Sequence, residues 1–353
     1  MIKTRIVSVD AINPREEYLK EAADVLREGG LVVIPTETVY GVCANLLHKK
    51  AVARLSEIKA RPKDKPFSQH IDRKEKIEAL ARDIPIQAYK LMDAFWPGPL
   101  TLVFKARDNG TVGLRLPDNE IAQKVIAFAD VPVVCPSANL NGKPAPTCFR
   151  EALQDLEGLV EYAIDAGPTK LGLESTVVDV SSDTVAVLRE GAIKKEEIER
   201  VVRTKTVLFI CTGNSCRSVM AQALLQKKLK EAGRTDVEVL SAGIMMLSGL
   251  GASEPTKEVL REEGIDVSAH RSQRVTKELA LKSDIILVME KLHEERLLQL
   301  VPGIKNRVFL LKEFAKIKDN NLNIDDPIGT TLEFYRQTCA VIKESVERVS
   351  NII

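Results

Sequence analysis

Apolar residues along this chain follow two rhythms. In EYLKEAADVLREGG, residues Leu19, Ala22, Ala23 and Leu26 fall at i, i+3, i+4 and i+7, one face of a helix, with Gly29 and Gly30 placed to end it. The run LVVI at 31–34 follows at once and predicts a buried strand. Further short apolar runs at 100–104, 131–134, 177–180 and 185–188 are separated by Pro and Gly punctuation and by helical stretches. The first two hundred residues therefore predict a mixed α/β domain.

At 194–205 the pattern gives way to a charged run, KKEEIERVVRTK, and a fresh apolar strand, TVLFI, begins behind it. This break divides the chain into domains 1–203 and 204–353, consistent with a length at which one core seldom suffices. Beyond it the predicted order is strand (206–210), helix (218–231), strand (237–241), helix (255–263), strand (284–289), helix (291–300), strand (307–310) and a long final helix (331–351). Strict alternation predicts a parallel sheet with helices on both faces and sites at the carboxyl ends of the strands.

Charge and composition narrow the classes. The 51 basic residues balance 50 acidic ones, so no global field exists and any nucleic-acid surface is local. The start, MIKTRIVSVD, has no leader-like apolar run, and nowhere do some twenty uncharged apolar residues follow one another. Secretion and membrane association are not expected; a cytoplasmic location is. The six cysteines, Cys43, Cys135, Cys148, Cys211, Cys216 and Cys339, include no CxxC pair, which fits a reducing compartment. Most of them read as small buried hydrophobes.

The segment VLFICTGNSCRSVMAQALL places Cys211 directly behind a buried strand and Arg217 at the start of an amphipathic helix. A loop wrapped between a strand end and a helix N-terminus turns successive backbone N–H groups inward, and the helix dipole adds positive potential there. Such a cradle takes an oxyanion. Arg217 can close it with a bidentate contact, and the combined field favours Cys211 as a nucleophilic thiolate. In NIDDPIG, Asp326 is held extended ahead of Pro327 and is the candidate general acid, with Asp325 the fallback.

These residues resemble the low-molecular-weight protein phosphatase family across 206–353, together with SAG at 241–243, SDIILVM, VFLLKEF and the late Asp-Pro. The resemblance implies a flavodoxin-like parallel-sheet phosphatase domain that needs no cofactor. In it Cys211 attacks phosphorus, Arg217 binds the phosphoryl group and Asp326 protonates the leaving group. Asn214 with Ser218 supports the loop and the thiolate, Ser215 and Cys216 complete the phosphate loop, and Cys216 can trap oxidised Cys211 as a disulfide. The expected substrates are phosphoproteins. Ile328 and Gly329 stand where phosphotyrosine members carry aromatic residues, and the small polar Ser215 resembles the phosphoarginine branch, which itself typically has Thr there and an aromatic residue at the position of Ile328. The substrates implied are phosphoarginine or phosphotyrosine proteins, with a slight lean to phosphoarginine. An arsenate reductase needs relay cysteines that 281–300 lacks.

The first half carries polar islands at strand ends: IPTETVYG (34–41), KARPKDKPFSQHI (59–71), TVGLRLP (111–117), CPSANLNGKPAPT (135–147), and ESTVVD with LREG between 174 and 191. Singly, each reads as a turn, a strand cap or a solvated surface. Together, and with WPGPLTL at 96–102, they resemble the threonylcarbamoyl-AMP synthase (YrdC-type) family over about residues 10–200. The resemblance implies a twisted mixed α/β domain that joins L-threonine, bicarbonate and ATP and releases pyrophosphate, with Mg²⁺ on the nucleotide. A threonylcarbamoyl transferase acting on tRNA would be the downstream partner. Cations and donors are needed to hold two anionic reactants together; Lys59, Arg61, Lys65, Lys143 and Arg189 supply charge. The resemblance places threonine against Thr38, His70, Arg115, Ser137 and Ser175, and ATP against Lys59, Arg61, Lys65, Thr111, Asn139, Thr147 and Arg189. Two departures stand out: KPFSQH replaces the family's N-P-L-x-V-H, so that Lys65, Phe67 and Ser68 are unusual, and Cys43 occupies a customary glycine position. The competing reading is an inactive module that binds RNA weakly or holds a nucleotide.

Overall fold

The computed structural model describes residues 2–61, 66–182, 184–245 and 248–353. In the first part of the chain, frequent Pro and Gly keep the strands short: β1 (Arg5–Ser8), β2 (Val32–Ile34), β3 (Gly41–Asn45), β4 (Gln69–His70), β5 (Leu100–Lys105), β6 (Thr111–Arg115), β7 (Val133–Val134), β8 (Tyr162–Asp165), β9 (Thr176–Asp179) and β10 (Ala186–Arg189). They join in the order β1-β8-β2-β3-β7-β4-β6-β5-β9-β10. Pairing is mixed: β1 with β8, β4 with β6, and β5 with β9 run parallel, whereas β3 with β7 and β5 with β6 run antiparallel.

Side chains of β2 alternate between two cores, as the period of a strand requires. Val32 and Ile34 pack with Leu19, Ala22, Ala23 and Leu26 of the helix Glu16–Arg27, while Val33 packs with Ala51 and Leu55 of the helix Lys49–Ile58. The four apolar positions read from the sequence are thus the buried face of that first helix.

The chain separates into two units, Met1–Val202 and Arg203–Ile353. The charged run at the junction is not an open linker. It forms the helix Lys195–Arg203, whose Ile198 is buried with Leu102 and Val178 of the first unit, and Val201 and Val202 pack against the same cluster. A three-residue apolar stripe within a charged segment is enough to fold it down.

In the second unit β11 (Lys205–Cys211), β12 (Val237–Gly243), β13 (Ile285–Val288) and β14 (Val308–Leu310) form an all-parallel sheet in the order β12-β11-β13-β14. Val207, Phe209 and Cys211 face a core with the helices Arg217–Glu231 and Leu332–Ser350; Leu208 and Ile210 face the opposite core with Ala280 and Leu297. A further helix, Lys277–Lys282, departs from the predicted order; Thr276 caps it by accepting from the Leu279 amide at 3.1 Å. The strand order reverses at β11, so a crevice opens at its carboxyl end. Cys211 is the last residue of that strand. Among the described residues no helix is long and apolar enough to cross a membrane.

Candidate active sites

In the second unit the sequence from Cys211 to Arg217 turns tightly between β11 and the following helix. Asn214 takes a left-handed conformation, φ 53°, which Asn tolerates better than most residues. Its side chain is fully used: Nδ2 donates to Ser218 Oγ (3.0 Å) and Ser241 Oγ (2.8 Å), and Oδ1 accepts from the Gln273 amide (2.9 Å). The Asn214 amide in turn donates to Cys211 Sγ at 3.3 Å, and Ser218 Oγ lies 3.0 Å from the same sulfur. Cys211 is buried. Cys216 begins the helix without a side-chain cap, which leaves first-turn amides available to an anion. Its own sulfur lies 3.3 Å from Ser253 Oγ and 3.6 Å from Ser215 Oγ.

Arg217 is 1% exposed and sits between two carboxylates. Nη1 pairs with Glu290 and donates to the Ile324 carbonyl at 2.7 Å; Nη2 pairs with Asp326 and donates to Thr212 Oγ1 at 3.1 Å. Its Nε has no partner among the described residues. A buried guanidinium donor without an acceptor costs free energy until an oxyanion supplies one. Asp326 thus stands beside Arg217; among the described residues no hydrogen bond or ion pair joins Asp325 to it.

Glu290, Thr212 and His293 escaped the sequence reading. The helix Lys291–Leu300 opens with a reciprocal cap in which His293 Nδ1 accepts from the Glu290 amide at 3.1 Å. That fixes the tautomer: Nε2 carries the proton and donates to Thr212 Oγ1 at 3.0 Å. Burial and the Arg217 charge push the His293 imidazole down to about 4, so it is neutral at physiological pH. The only available signal was position, since Glu290 lies just beyond β13, at the end where parallel sheets gather their sites.

In the first unit a cleft of about 390 Å³ lies among β4, β5, β6 and β9 and the segment 135–137. Its lining includes His70, Arg115, Ser137, Ser175, Lys59, Arg61, Thr111 and Arg189, eight of the residues singled out in the sequence. Arg115 is buried and donates from Nη2 to Glu37 Oε1 (2.7 Å) and Thr38 Oγ1 (2.8 Å), so Thr38 acts behind the wall rather than in it. Glu37 Oε2 and His70 Nδ1 are buried without partners among the described residues. Burial and the nearby Arg115 hold the His70 imidazole well below its ordinary value, hence neutral.

Lys59 Nζ donates to the carbonyls of Ser137 (2.9 Å) and Asn139 (2.7 Å) and to Asn139 Oδ1 (2.7 Å); burial lowers it to about 8. Asn139 is therefore held by Lys59 behind the wall. Arg61 stacks its guanidinium on the Phe67 ring at 4.6 Å. Arg189 is steadied by Glu174 (3.0 Å) and the Ser175 carbonyl (2.8 Å), and Thr101 Oγ1 lies 2.9 Å from Ser175 Oγ. Two residues do not line the cleft. Lys143 pairs with Asp155, and Thr147 bonds Glu151 through both its amide and its hydroxyl, as residues near a helix start do. Lys65 lies outside the described residues. The sequence reading missed Glu37, Thr36, Thr101 and Glu174 at or behind this cleft; Glu37 and Glu174 were within the quoted motifs, but a carboxylate next to an anion site gives no signal until its cationic partner is known.

The family model for telomere recombination (Sua5/YciO/YrdC) matches residues 24–191, and that for low-molecular-weight phosphotyrosine protein phosphatase matches 206–352. Over 204 residues the chain is 44% identical to a threonylcarbamoyl-AMP synthase of Pyrococcus abyssi, covering 54% of this chain and 60% of that relative's length. Over 144 residues it is 38% identical to a protein-arginine-phosphatase of Geobacillus stearothermophilus, covering 41% of this chain and 93% of that one. The solved structure of P. abyssi Sua5 complexed with L-threonine matches with a TM-score of 0.54 at 30% identity, covering 87% of this chain and 99% of its own. The chain belongs to both families. Its first unit is a Sua5/YrdC domain and its second a low-molecular-weight phosphatase domain, with the parallel sheet that the alternating pattern predicted and the flavodoxin-like fold that the resemblance implied.

Proposed function

We propose that the chain is a bifunctional cytoplasmic enzyme. Its first unit forms threonylcarbamoyl-AMP from L-threonine, bicarbonate and ATP, the intermediate a transferase would pass to tRNA; its second removes phosphoryl groups from proteins through a phosphocysteine. The observation that carries the first reading is the convergence of Arg115, His70, Ser137 and Ser175 with Arg61 and Arg189 on one cleft. Arg115, buried and oriented by Glu37, receives the threonine carboxylate. Neutral His70 and the hydroxyls of Ser137 and Ser175 direct the amino and hydroxyl groups. The threonine nitrogen captures the one-carbon unit, and the carbamate oxygen then displaces pyrophosphate from the α-phosphorus. Arg61 and Arg189, with Thr111, stabilise the negative charge that builds on the phosphates. These cationic side chains suit phosphate oxygens rather than a resident metal, so Mg²⁺ comes with the nucleotide as part of the substrate.

In the second unit Cys211 attacks phosphorus in line, Arg217 binds the equatorial oxygens through the Nε now lacking a partner, and Asp326 gives its proton to the leaving group. Water then releases phosphate from sulfur. Phosphoarginine is the favoured substrate: Ser215 is small and polar, and the Geobacillus relative is a protein-arginine-phosphatase.

Pyrophosphate release should require ATP, L-threonine and bicarbonate together, and Arg61→Ala should reduce it by about 10- to 100-fold. RNA binding that weakens with salt, without pyrophosphate release, would replace the synthase by a binding module. Cys211→Ser should abolish turnover of phosphoarginine peptides; preference for phosphotyrosine peptides would reverse the substrate assignment.

A further inference from the structure

The pairing of β3 with β7 sets Ala44 opposite Val134 and Asn45 opposite Val133. The same register continues past β7, since the Val42 amide donates to the Pro136 carbonyl at 2.8 Å and Gly41 bridges Ser137. Cys43 therefore stands opposite Cys135. Because ladder bonds join 42 to 136, the two cysteines form a non-hydrogen-bonded pair, the type in which Cα atoms lie about 4.5 Å apart and side chains approach most closely. Their sulfurs are 2.6 Å apart, and both thiols are free and buried.

The two sulfurs are not equivalent. Cys135 lines the threonine cleft and Cys43 does not. Gly41, two residues along the same strand face, has no room for a side chain, because a Cβ there would come within 2.4 Å of the Cys135 sulfur. Two residues beyond Cys135, Ser137 reaches the cleft with its carbonyl tied to Lys59. The thiol pair is therefore two rungs along the ladder that places Ser137, on the same face.

We propose that Cys43 and Cys135 are a redox-modification site, joined by a small peroxide into a cross-strand disulfide that weakens threonine binding. The Cα spacing of such a pair lies within the range of about 4.4–6.8 Å that disulfides span, so the bond needs no unfolding. A small oxidant reaches Cys135 through the cleft. The Cys135 sulfur, having given up its proton, attacks one peroxide oxygen; the O–O bond breaks, and the leaving hydroxide takes that proton as water. The Cys43 sulfur then attacks the Cys135 sulfenic acid, and the departing hydroxide leaves with the Cys43 proton as a second water. Two thiols are oxidised by two electrons and one peroxide is reduced. The bond holds the Cys135 sulfur against Cys43 and draws Pro136 and Ser137 along the ladder, away from their position in the cleft.

The test treats the full chain with hydrogen peroxide, blocks the remaining thiols, and maps linked peptides by mass spectrometry. The expected result is a Cys43–Cys135 linkage reversible by dithiothreitol, with L-threonine affinity of the oxidised form several-fold weaker by calorimetry. Cys43→Ala should form no linkage at Cys135, and the double variant Cys43→Ala with Cys135→Ala should bind threonine equally before and after treatment. Recovery of both cysteines as free thiols at a dose that oxidises Cys211, linkage of Cys135 to a different cysteine, or unchanged threonine affinity in a chain carrying the mapped bond would each overturn the proposal. The affinity measurement rests on the synthase reading, whereas the peptide map does not. A reduced chain that fails to bind threonine while still forming the linkage would refute the synthase reading and the claimed weakening, and leave the modification site standing.

Discussion

His293 shows how much one buried side chain can decide. Its Nδ1 accepts from an amide, so its Nε2 proton is committed to Thr212, whose oxygen also accepts from Arg217. His293 thereby positions the Arg217 guanidinium through one hydroxyl. The imidazole is held at about 4 against an ordinary value of 6.5, so between those pH values the unfolded chain takes up a proton that the folded one refuses. Stability contributed by this site should be level above pH 6.5 and fall as pH drops towards about 4, by about 1.4 kcal/mol per unit within that window. His293→Gln, which keeps a neutral donor for Thr212, should flatten that part of the acid limb in denaturant titrations and preserve turnover. His293→Ala should lower kcat by about tenfold with KM little changed, because it loosens Arg217 without touching substrate. An unaltered kcat in the alanine variant would end the positioning role.

At the level of elements, the close fit of β12 beneath the loop 211–217 yields a sharper expectation. A Cβ at Gly243 would lie 2.8 Å from the Thr212 carbonyl oxygen and 2.9 Å from the Asn214 nitrogen, both backbone atoms that cannot swing aside. Gly243→Ala should therefore lift the loop, separate the Asn214 amide from Cys211, and cut phosphatase turnover by roughly 100-fold. Overpacking should cost about 1–3 kcal/mol of stability in the same protein; full activity in a folded variant would refute the fit. This neighbourhood also marks what the sequence could reveal. Cys211, Asn214 and Arg217 are local in sequence, joined by one strand end and one helix start, so their pattern was readable. The Glu290 contact with Arg217 spans 73 residues, and the Glu37 contact with Arg115 spans 78, so neither has a local spacing to betray it. Lys143 and Thr147 do not line the cleft, and each is bonded to a carboxylate near it in sequence, Asp155 and Glu151. Apolar runs marked the second sheet because its central strands, β11 and β13, are buried on both faces. The two-residue strands β4 and β7 carry too little pattern to be seen before their neighbours are known.

For the molecule as a whole, the distribution of core residues matters most. The clusters around Phe209 and Leu208 contain residues of the second unit, whereas those around Leu19, Leu102 and Val33 contain residues of the first. Each unit thus closes a core of its own, and burial free energy lost in one is lost from that one. The chain has one tryptophan, Trp96, which is buried in the first unit with its indole N–H donating to the Leu100 carbonyl at 2.7 Å. Its fluorescence therefore reports on the unfolding of the first unit, while circular dichroism reports on both. Phe209 is fully buried in the centre of the second sheet, and Phe209→Ala should cost that unit about 3–5 kcal/mol through lost transfer energy and the cavity left behind. In urea titrations of the full chain, the dichroism midpoint assigned to the second unit should move to lower denaturant while the Trp96 transition stays in place. Pyrophosphate formation should persist at concentrations where phosphatase turnover has already gone. A shift of the Trp96 transition by the same amount would mean that the two cores unfold as one cooperative body, and that neither activity can be lost to destabilisation without the other.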